Sequence, residues 1–241
     1  MKYELEEKFW LKYFNVYDAL VNLIPYQNVL EDIISLLPSK NLKILETGCG
    51  TGNLIFYIAD NVKYKRLVGV DYSLAALTLA NKKIENRKNI IFKYADIRQH
   101  FVFKDEEFEV IVMNNVLYTL PVSKRQDLIH EVYRMLKPGG IFILSNINIH
   151  FKPMLIYKTH ILKSIKKKGF IVTITQVFQL IYPTVMIFYY NFLIKKSNKG
   201  GLYDFIKQGE QADLLRNSKF KININDKLTY AGSAFLSKGT K

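Results

Sequence analysis

The residues best suited to chemistry lie in Leu42-Lys43-Ile44-Leu45-Glu46-Thr47-Gly48-Cys49-Gly50-Thr51-Gly52-Asn53. An apolar run delivers a carboxylate, and three glycines then alternate into a helix. Glycines at such a turn let the backbone approach a ligand with no side chain in the way. A dinucleotide fingerprint places its third glycine one residue later and a pyrophosphate at the helix N-terminus. Here position 53 is Asn, and Glu46 stands directly before the loop, where it repels a pyrophosphate and attracts an ammonium or sulfonium. The spacing points to a cationic, nucleoside-bearing ligand rather than NAD. Two more acids follow at strand ends. Asp71, in Leu67-Val68-Gly69-Val70-Asp71-Tyr72-Ser73, can accept hydrogen bonds from two ribose hydroxyls, a trait that alone also fits NAD. Ser73 suits a helix N-cap. Asp96, in Tyr94-Ala95-Asp96-Ile97, can take an adenine amino group.

These acids need strands whose ends line up. The apolar runs Leu42 to Glu46, Arg66 to Asp71, Ile90 to Tyr94, Phe108 to Met113 and Gly140 to Asn146 read as strands. Helices are expected over Asn53 to Asp60, Ser73 to Glu85 and Ser123 to Leu136. Strands alternating with helices imply βαβ units and a parallel sheet with helices on both faces. The strand runs are apolar throughout, as expected where both sides are buried. Tyr3 to Ile24 carries an aromatic stripe at near-helical spacing and should end before Pro25, with a second helix over about Asn28 to Leu37. Asp204 to Asn217 looks helical, and Phe220 to Ile224 and Leu228 to Leu236 look like an antiparallel closing pair. A chain of 241 residues with one cysteine, Cys49, cannot build a disulfide framework or a cysteine-based zinc site. Cys49 itself is read as a small packing residue. The four histidines, His100, His130, His150 and His160, show no metal-ligand spacing, so no metal is expected. The charged, mixed N-terminus does not look like a cleavable signal, and the expected setting is cytoplasmic.

The stretch from about Ile44 to Leu144 resembles the class I S-adenosylmethionine-dependent methyltransferases, especially the small-molecule branch that includes the quinone-biosynthesis enzymes. The matching pieces are Glu46 to Gly52, Val70-Asp71, Ala95-Asp96, Phe108-Glu109-Val110-Ile111, Asn115-Val116-Leu117-Tyr118 and Leu136-Lys137-Pro138-Gly139-Gly140, in family order and spacing. Glu46 replaces the commoner Asp and keeps its charge; Glu109 replaces an Asp that marks the fold. The resemblance implies an α/β, doubly wound, Rossmann-like sheet, mostly parallel, with a C-terminal antiparallel hairpin and a mainly helical insert. It divides the chain into an N-terminal helical lid (1–38), a catalytic domain (39–147 and 204–241) and an insert (148–203). It also implies S-adenosyl-L-methionine as cofactor. Glu46 would lie near the methionine end, and Gly48, Gly50 and Gly52 against the cofactor. Asp71 would hold the ribose with Tyr72 beside the adenine. Asp96 and the Ile97 backbone would read the adenine edge, and Asn114 and Asn115 would line the pocket near the reactive methyl. Tyr13 and Tyr17 are the lid candidates. Tyr118, past the fourth strand, and His150, past the fifth, stand where a catalytic base would act.

The insert distinguishes this chain. No Asp or Glu occurs between Val132 and Tyr203, a stretch carrying eleven Lys or Arg, while the net charge of the whole chain is +14. Such a region faces something anionic or is held away from acidic surfaces. Phe151 to Lys168 reads as an amphipathic helix. Gly169 to Ile194 then runs without a charge and is long enough to span a bilayer. Both flanks return to one domain, and Tyr182-Pro183 divides the run. The expectation is an apolar helical hairpin with Lys166 to Lys168 and Lys195-Lys196 on the same side, either dipping into one leaflet or capping the domain in solution, with a true span as the third reading. The function expected is methyl transfer to a lipophilic small molecule or lipid-like acceptor, with 151–200 against an anionic, peripherally or monotopically bound membrane. Two alternatives stand beside it. One is a nucleic-acid methyltransferase, which the basic surplus permits but which lacks the proline-aromatic signature at Asn114-Asn115-Val116-Leu117 and any appended RNA-binding module. The other is a non-catalytic S-adenosylmethionine-binding protein.

Overall fold

The computed structural model describes residues 7–97, 99, 103–197 and 204–241. Residues 1–6 of the aromatic N-terminal stretch, His100 and residues 198–203 of the insert lie outside the described residues. Seven strands form one sheet: β1 (Leu42–Thr47), β2 (Tyr64–Asp71), β3 (Ile90–Tyr94), β4 (Phe108–Asn114), β5 (Leu136–Ile147), β6 (Lys221–Thr229) and β7 (Ala234–Thr240). Their order is β3-β2-β1-β4-β5-β7-β6. The first five run parallel, and β7 pairs antiparallel with both β5 and β6. The sheet reverses direction of growth between β1 and β4. In open α/β sheets ligands bind in the crevice beyond the carboxyl ends of the strands at that switch point.

The central strands are buried on both sides because helices cover both faces. Helices α1 (Glu7–Tyr17), α2 (Ile24–Ser35), α3 (Asn53–Asn61), α4 (Leu74–Lys82), α5 (Val122–Met135), α6 (Pro153–Lys168), α7 (Phe170–Ser197) and α8 (Glu210–Asn217) complete the fold. Ile44, Val110, Val112 and Ile143 face one cluster with Leu30, Ile33, Leu54 and Ile58. Leu45, Ile111, Phe142 and Leu144 face the other with Ile129, Val132 and Met135. Alternate residues of one strand thus enter opposite cores, which is why the strand runs lack polar positions.

Several boundaries differ from the sequence expectations. α2 starts at Ile24 and takes Pro25 into its first turn, where a missing N–H costs nothing. The helix expected from Asp204 begins only at Glu210; Ile206 instead bridges Asn148 beyond the end of β5. The closing hairpin turns at Tyr230–Gly232, not around Asn225. Asp226 looks like a turn residue but is buried in a bulged strand, accepting from Gly209 N at 2.5 Å and from Ser237 Oγ at 2.6 Å. The largest difference is in the insert. Tyr182-Pro183 does not divide it: α7 is one helix with Pro183 inside, and the reversal comes at Gly169, where φ is +86°. Lys166 to Lys168 and Lys195-Lys196 therefore sit at opposite ends of α7, about 40 Å apart at 1.5 Å per residue. Pro183 removes one ladder bond, to the carbonyl of Gln179, and one lost bond bends a long helix without ending it.

Candidate active site

The candidate residues converge because parallel register aligns strand ends. Glu46 and Thr47 close β1 opposite Gly69 and Val70 of β2 and opposite Val112 and Met113 of β4. Asn114 ends β4 opposite Ser145 of β5. Asp71 ends β2 opposite Tyr94 of β3, and Ala95 N donates to Asp71 O at 3.0 Å, which sets Asp96 one residue from the Asp71 backbone. Glu46, Thr47, Asn114 and Ser145 are buried, and Glu46 Oε2, Thr47 Oγ1, Asn114 Oδ1, Asn115 Oδ1 and Ser145 Oγ have no hydrogen-bond partner. Native proteins pair nearly all such atoms. Glu46, Asn114 and Ser145 share one face of three neighbouring strands near their carboxyl ends, with Asn115 in the loop after β4, and their orphaned atoms mark a place built to receive donors; Thr47 points to the other face.

The loop after β1 is shaped by backbone. Gly48 N and Cys49 N donate to Val70 O at 2.7 and 2.9 Å, folding the chain back over β2. Gly48 has φ +70°, and a Cβ there would lie 2.3 Å from Val116 Cγ2. Gly48 and Gly52 thus make room for the protein's own Val116, Phe92 and Phe56, and Gly50 is the open member, with only the Phe14 ring 3.8 Å from a built Cβ. Cys49 belongs to the core, in line with a packing role. Asp71 binds the loop from the other side. Its Oδ2 accepts from Gly50 N at 2.8 Å and its Oδ1 from Ser73 N at 2.9 Å. Ser73 Oγ caps α4 by accepting from Ala76 N at 3.2 Å. Tyr72 lies alongside at 46% exposure, and Asp96 and Ile97 are half-buried in the turn after β3.

Asn146 holds the opposite wall. Its Oδ1 accepts from Val116 N and Leu117 N, and its Nδ2 donates to Gln211 Oε1 at 2.8 Å. That fixes the loop in which Asn115 sits at φ +59°. Of the two candidate bases, Tyr118 is half-buried and rings with Phe205 at 5.7 Å, and Phe205 rings with Phe151 at 5.9 Å. His150 is in an exposed turn, its backbone N donating to Asn148 Oδ1 at 2.9 Å.

The N-terminal helix covers these strand tips. Tyr13 and Tyr17 stack at 5.7 Å, and Phe14 lies against Gly50. Burial, then the Asp18 carboxylate, push the Tyr17 phenol up to about 12, against hydrogen bonds from Asn115 and Tyr26. The anchor of this lid is Asp18, which the aromatic pattern did not single out. Its Oδ1 accepts from Thr51 Oγ1 and from Asn53 Nδ2 at 2.9 Å, and its Oδ2 pairs with Lys83 Nζ at 2.5 Å. The available signal was that Asp18 is the sole acid between Glu7 and Glu31. Asp18→Ala is expected to free the lid and cost about 1–2 kcal/mol, since two hydrogen bonds and a half-exposed ion pair are lost together. Faster proteolysis between residues 18 and 24, with the melting temperature lowered by only a few degrees, would display it.

Burial and then the Asp71 carboxylate hold the Glu46 carboxyl well above its ordinary 4.5, with a backbone hydrogen bond from Ile55 offsetting part. Asp71 is also raised by burial, against hydrogen bonds from Ser73, Gly50 and Tyr72. Ionising Glu46 in the folded protein therefore costs stability, a cost absent below pH 4.5 that grows as pH climbs toward the elevated value. A cation set against Glu46 removes that cost. Its binding should release a proton and strengthen with rising pH across this window. Calorimetry in buffers of different ionisation enthalpy measures the release, and Glu46→Gln should abolish it.

Residues 44–140 match the family model described as a methyltransferase domain. Over the whole chain the structure superposes on an S-adenosylmethionine-dependent methyltransferase from Thermotoga maritima with a TM-score of 0.60, covering 98% of this chain and 100% of that one at 18% identity. The chain has the fold of the S-adenosylmethionine-dependent methyltransferases. The protein YqeM of Bacillus subtilis is 30% identical over 140 residues, 57% of this chain and 55% of that protein. The demethylmenaquinone methyltransferase of Lactobacillus johnsonii is 32% identical over 100 residues, 40% of each chain. Other matches are named for tRNA cytidine and phosphoethanolamine methylation. The chain spans about half or less of the length of the first of these curated relatives.

Proposed function

We propose that this protein is an S-adenosylmethionine-dependent methyltransferase acting on a lipophilic acceptor. The observation that carries the cofactor is the set of orphaned acceptors Glu46, Asn114, Asn115 and Ser145 at the switch point, beside Asp71 and the bare Gly50 backbone. The fit is chemical. The carboxylates of Glu46 and Asp71 suit a cationic methionyl end and ribose hydroxyls, and the Asn114 and Asn115 carbonyls suit an ammonium. Asp96 and Ile97 lie where the adenine edge would be read. The cofactor supplies a methyl group made electrophilic by its sulfonium. The chain's part is to hold an acceptor in line and exclude water. Phe14, Tyr17 and Asp18 provide the covering, so a nucleoside enters as that lid moves.

The acceptor side is apolar. Tyr118, Phe205 and Phe151 form an aromatic wall beyond β4 and β5, and α7 adds an apolar flank beside α1. A hydroxyl acceptor needs a base, and Tyr118 and His150 are the candidates, with Tyr118 favoured because it is half-buried on the aromatic wall. The test is methyl-labelled S-adenosylmethionine incubated with the protein and a cell extract that is then split into lipid, small polar and RNA fractions. Label in the lipid fraction supports the reading. Label in RNA alone overturns the lipophilic acceptor, and no label in any fraction overturns catalysis.

A further inference from the structure

The 28 residues of α7 form a helix with almost no polar face, yet little of it is covered. Within Phe170–Tyr190, mean hydropathy is 1.7 and only 11% is buried. Exposed large side chains recur every three or four residues: Ile171, Ile174, Phe178, Ile181, Val185, Phe188 and Phe192. That is one continuous stripe from Ile171 to Phe192. The opposite side is the packed one. Thr173, Leu180 and Tyr190 are buried. Thr173 Oγ1 donates to Ser164 Oγ of α6 at 3.0 Å, and Tyr157 and Thr184 hydroxyls meet at 2.5 Å. Tyr190 receives Phe9 of α1 edge-on at 5.3 Å.

An apolar helix in water turns its apolar side inward; this one turns it outward along its whole length. Something apolar must cover it. Charge identifies the cover. Lys152, Lys158, Lys163, Lys166, Lys167 and Lys168 on or beside α6 are exposed, as are Lys8 and Lys12 of α1, and no carboxylate lies between Val132 and Tyr203. A second copy of the chain would bring the same positive charge to the contact, whereas an anionic headgroup layer neutralises it. The mode is also set. A crossing helix would carry α6 and α1, with their lysines, into the hydrocarbon, because both pack along α7. We infer that the α6–α7 hairpin is a membrane-docking surface on which α7 lies flat in one anionic leaflet with the lysines of α6 and α1 at the headgroups.

Because α7 carries α1 through Tyr190, docking sets the lid of the candidate site at the lipid surface, where a lipophilic acceptor is dissolved. The docking surface stands by itself; only this supply of acceptor rests on the methyl-transfer reading.

Co-sedimentation of the full chain with vesicles of phosphatidylcholine, with and without phosphatidylglycerol, tests it. Binding is expected with phosphatidylglycerol, several-fold weaker without it, and reduced by salt. Phe178→Glu/Phe188→Glu puts two charges on the outward stripe and should cut binding on the order of tenfold or more, with the circular dichroism spectrum and S-adenosylmethionine affinity unchanged. Lys166→Glu/Lys167→Glu/Lys168→Glu, at an exposed helix end, should remove the preference for phosphatidylglycerol and serves if the first variant misfolds. No sedimentation with either vesicle overturns the inference. So does undiminished binding by Phe178→Glu/Phe188→Glu, or a dimer in light scattering that this variant dissociates while vesicle binding is absent. Vesicle binding without any methyl transfer would overturn the catalytic reading and leave the docking surface in place.

Discussion

Asp71→Ala is expected to weaken S-adenosylmethionine binding by about a hundredfold and to lower the melting temperature as well. Hydrogen bonds to a charged group contribute roughly 1.5–3 kcal/mol each, so losing the ribose contacts proposed for Asp71 accounts for a factor of that size. The stability effect has a separate cause. Asp71 is the acceptor for Gly50 N and Ser73 N, which join the glycine loop to the start of α4. Alanine leaves both N–H groups without that partner, at a cost of about 1–3 kcal/mol. Asp71→Asn discriminates between the two roles. One amide oxygen can still accept one backbone N–H, but the NH₂ then confronts the other, so affinity should fall nearly as far while the fold recovers only in part. Calorimetric titration and thermal melts on the same samples separate the effects.

Gly48→Val should be the most destabilising single change in the loop, by roughly 2–5 kcal/mol. One part is backbone: φ is +70°, a conformation that costs a residue with a Cβ about 1–2 kcal/mol. The other part is overlap, since the new Cβ would lie 2.3 Å from Val116 Cγ2, and forcing bulk into a packed site costs about 1–3 kcal/mol. Val116 cannot withdraw, because Asn146 holds its backbone N–H and that of Leu117. The two parts can be told apart. Adding Val116→Ala should return much of the overlap cost and none of the backbone cost, and denaturant melts of the single and double variants measure both. Full recovery in the double variant would mean that the left-handed backbone does not matter here.

The sheet and the nucleoside side of the site were legible in the sequence for the same physical reason. Strands buried on both sides must be apolar throughout, so Ile44-Leu45 and Val110-Ile111-Val112 declare themselves, and the polar residue that follows each run necessarily stands at a strand end. Glu46, Asp71 and Asn114 were expected at strand ends this way, and the structure has them there. The glycines were found but partly misjudged: a left-handed turn explains all three, whereas what occupies the space beside Gly48 and Gly52 depends on Val116, Phe92 and Phe56, which are distant in sequence. Asp18, Asn146 and Gln211 were not seen because each acts through partners set by tertiary packing rather than by spacing. The insert was misread at Tyr182-Pro183, because proline's cost to a helix is only a few kcal/mol and a 28-residue apolar helix can absorb it. Gly169, preceded by three lysines, was the better stop signal.

Everything assigned to the site depends on adenosyl and methionyl groups being held at the ends of β1, β2 and β4. Titration of S-adenosylmethionine into the full chain tests that most directly. The account predicts one site per chain, an affinity that rises with pH toward the elevated value at which Glu46 gives up its proton, and near-complete loss in Asp71→Ala. A folded chain that gives no binding heat, or an Asp71→Ala variant that binds as tightly as the parent, would contradict it.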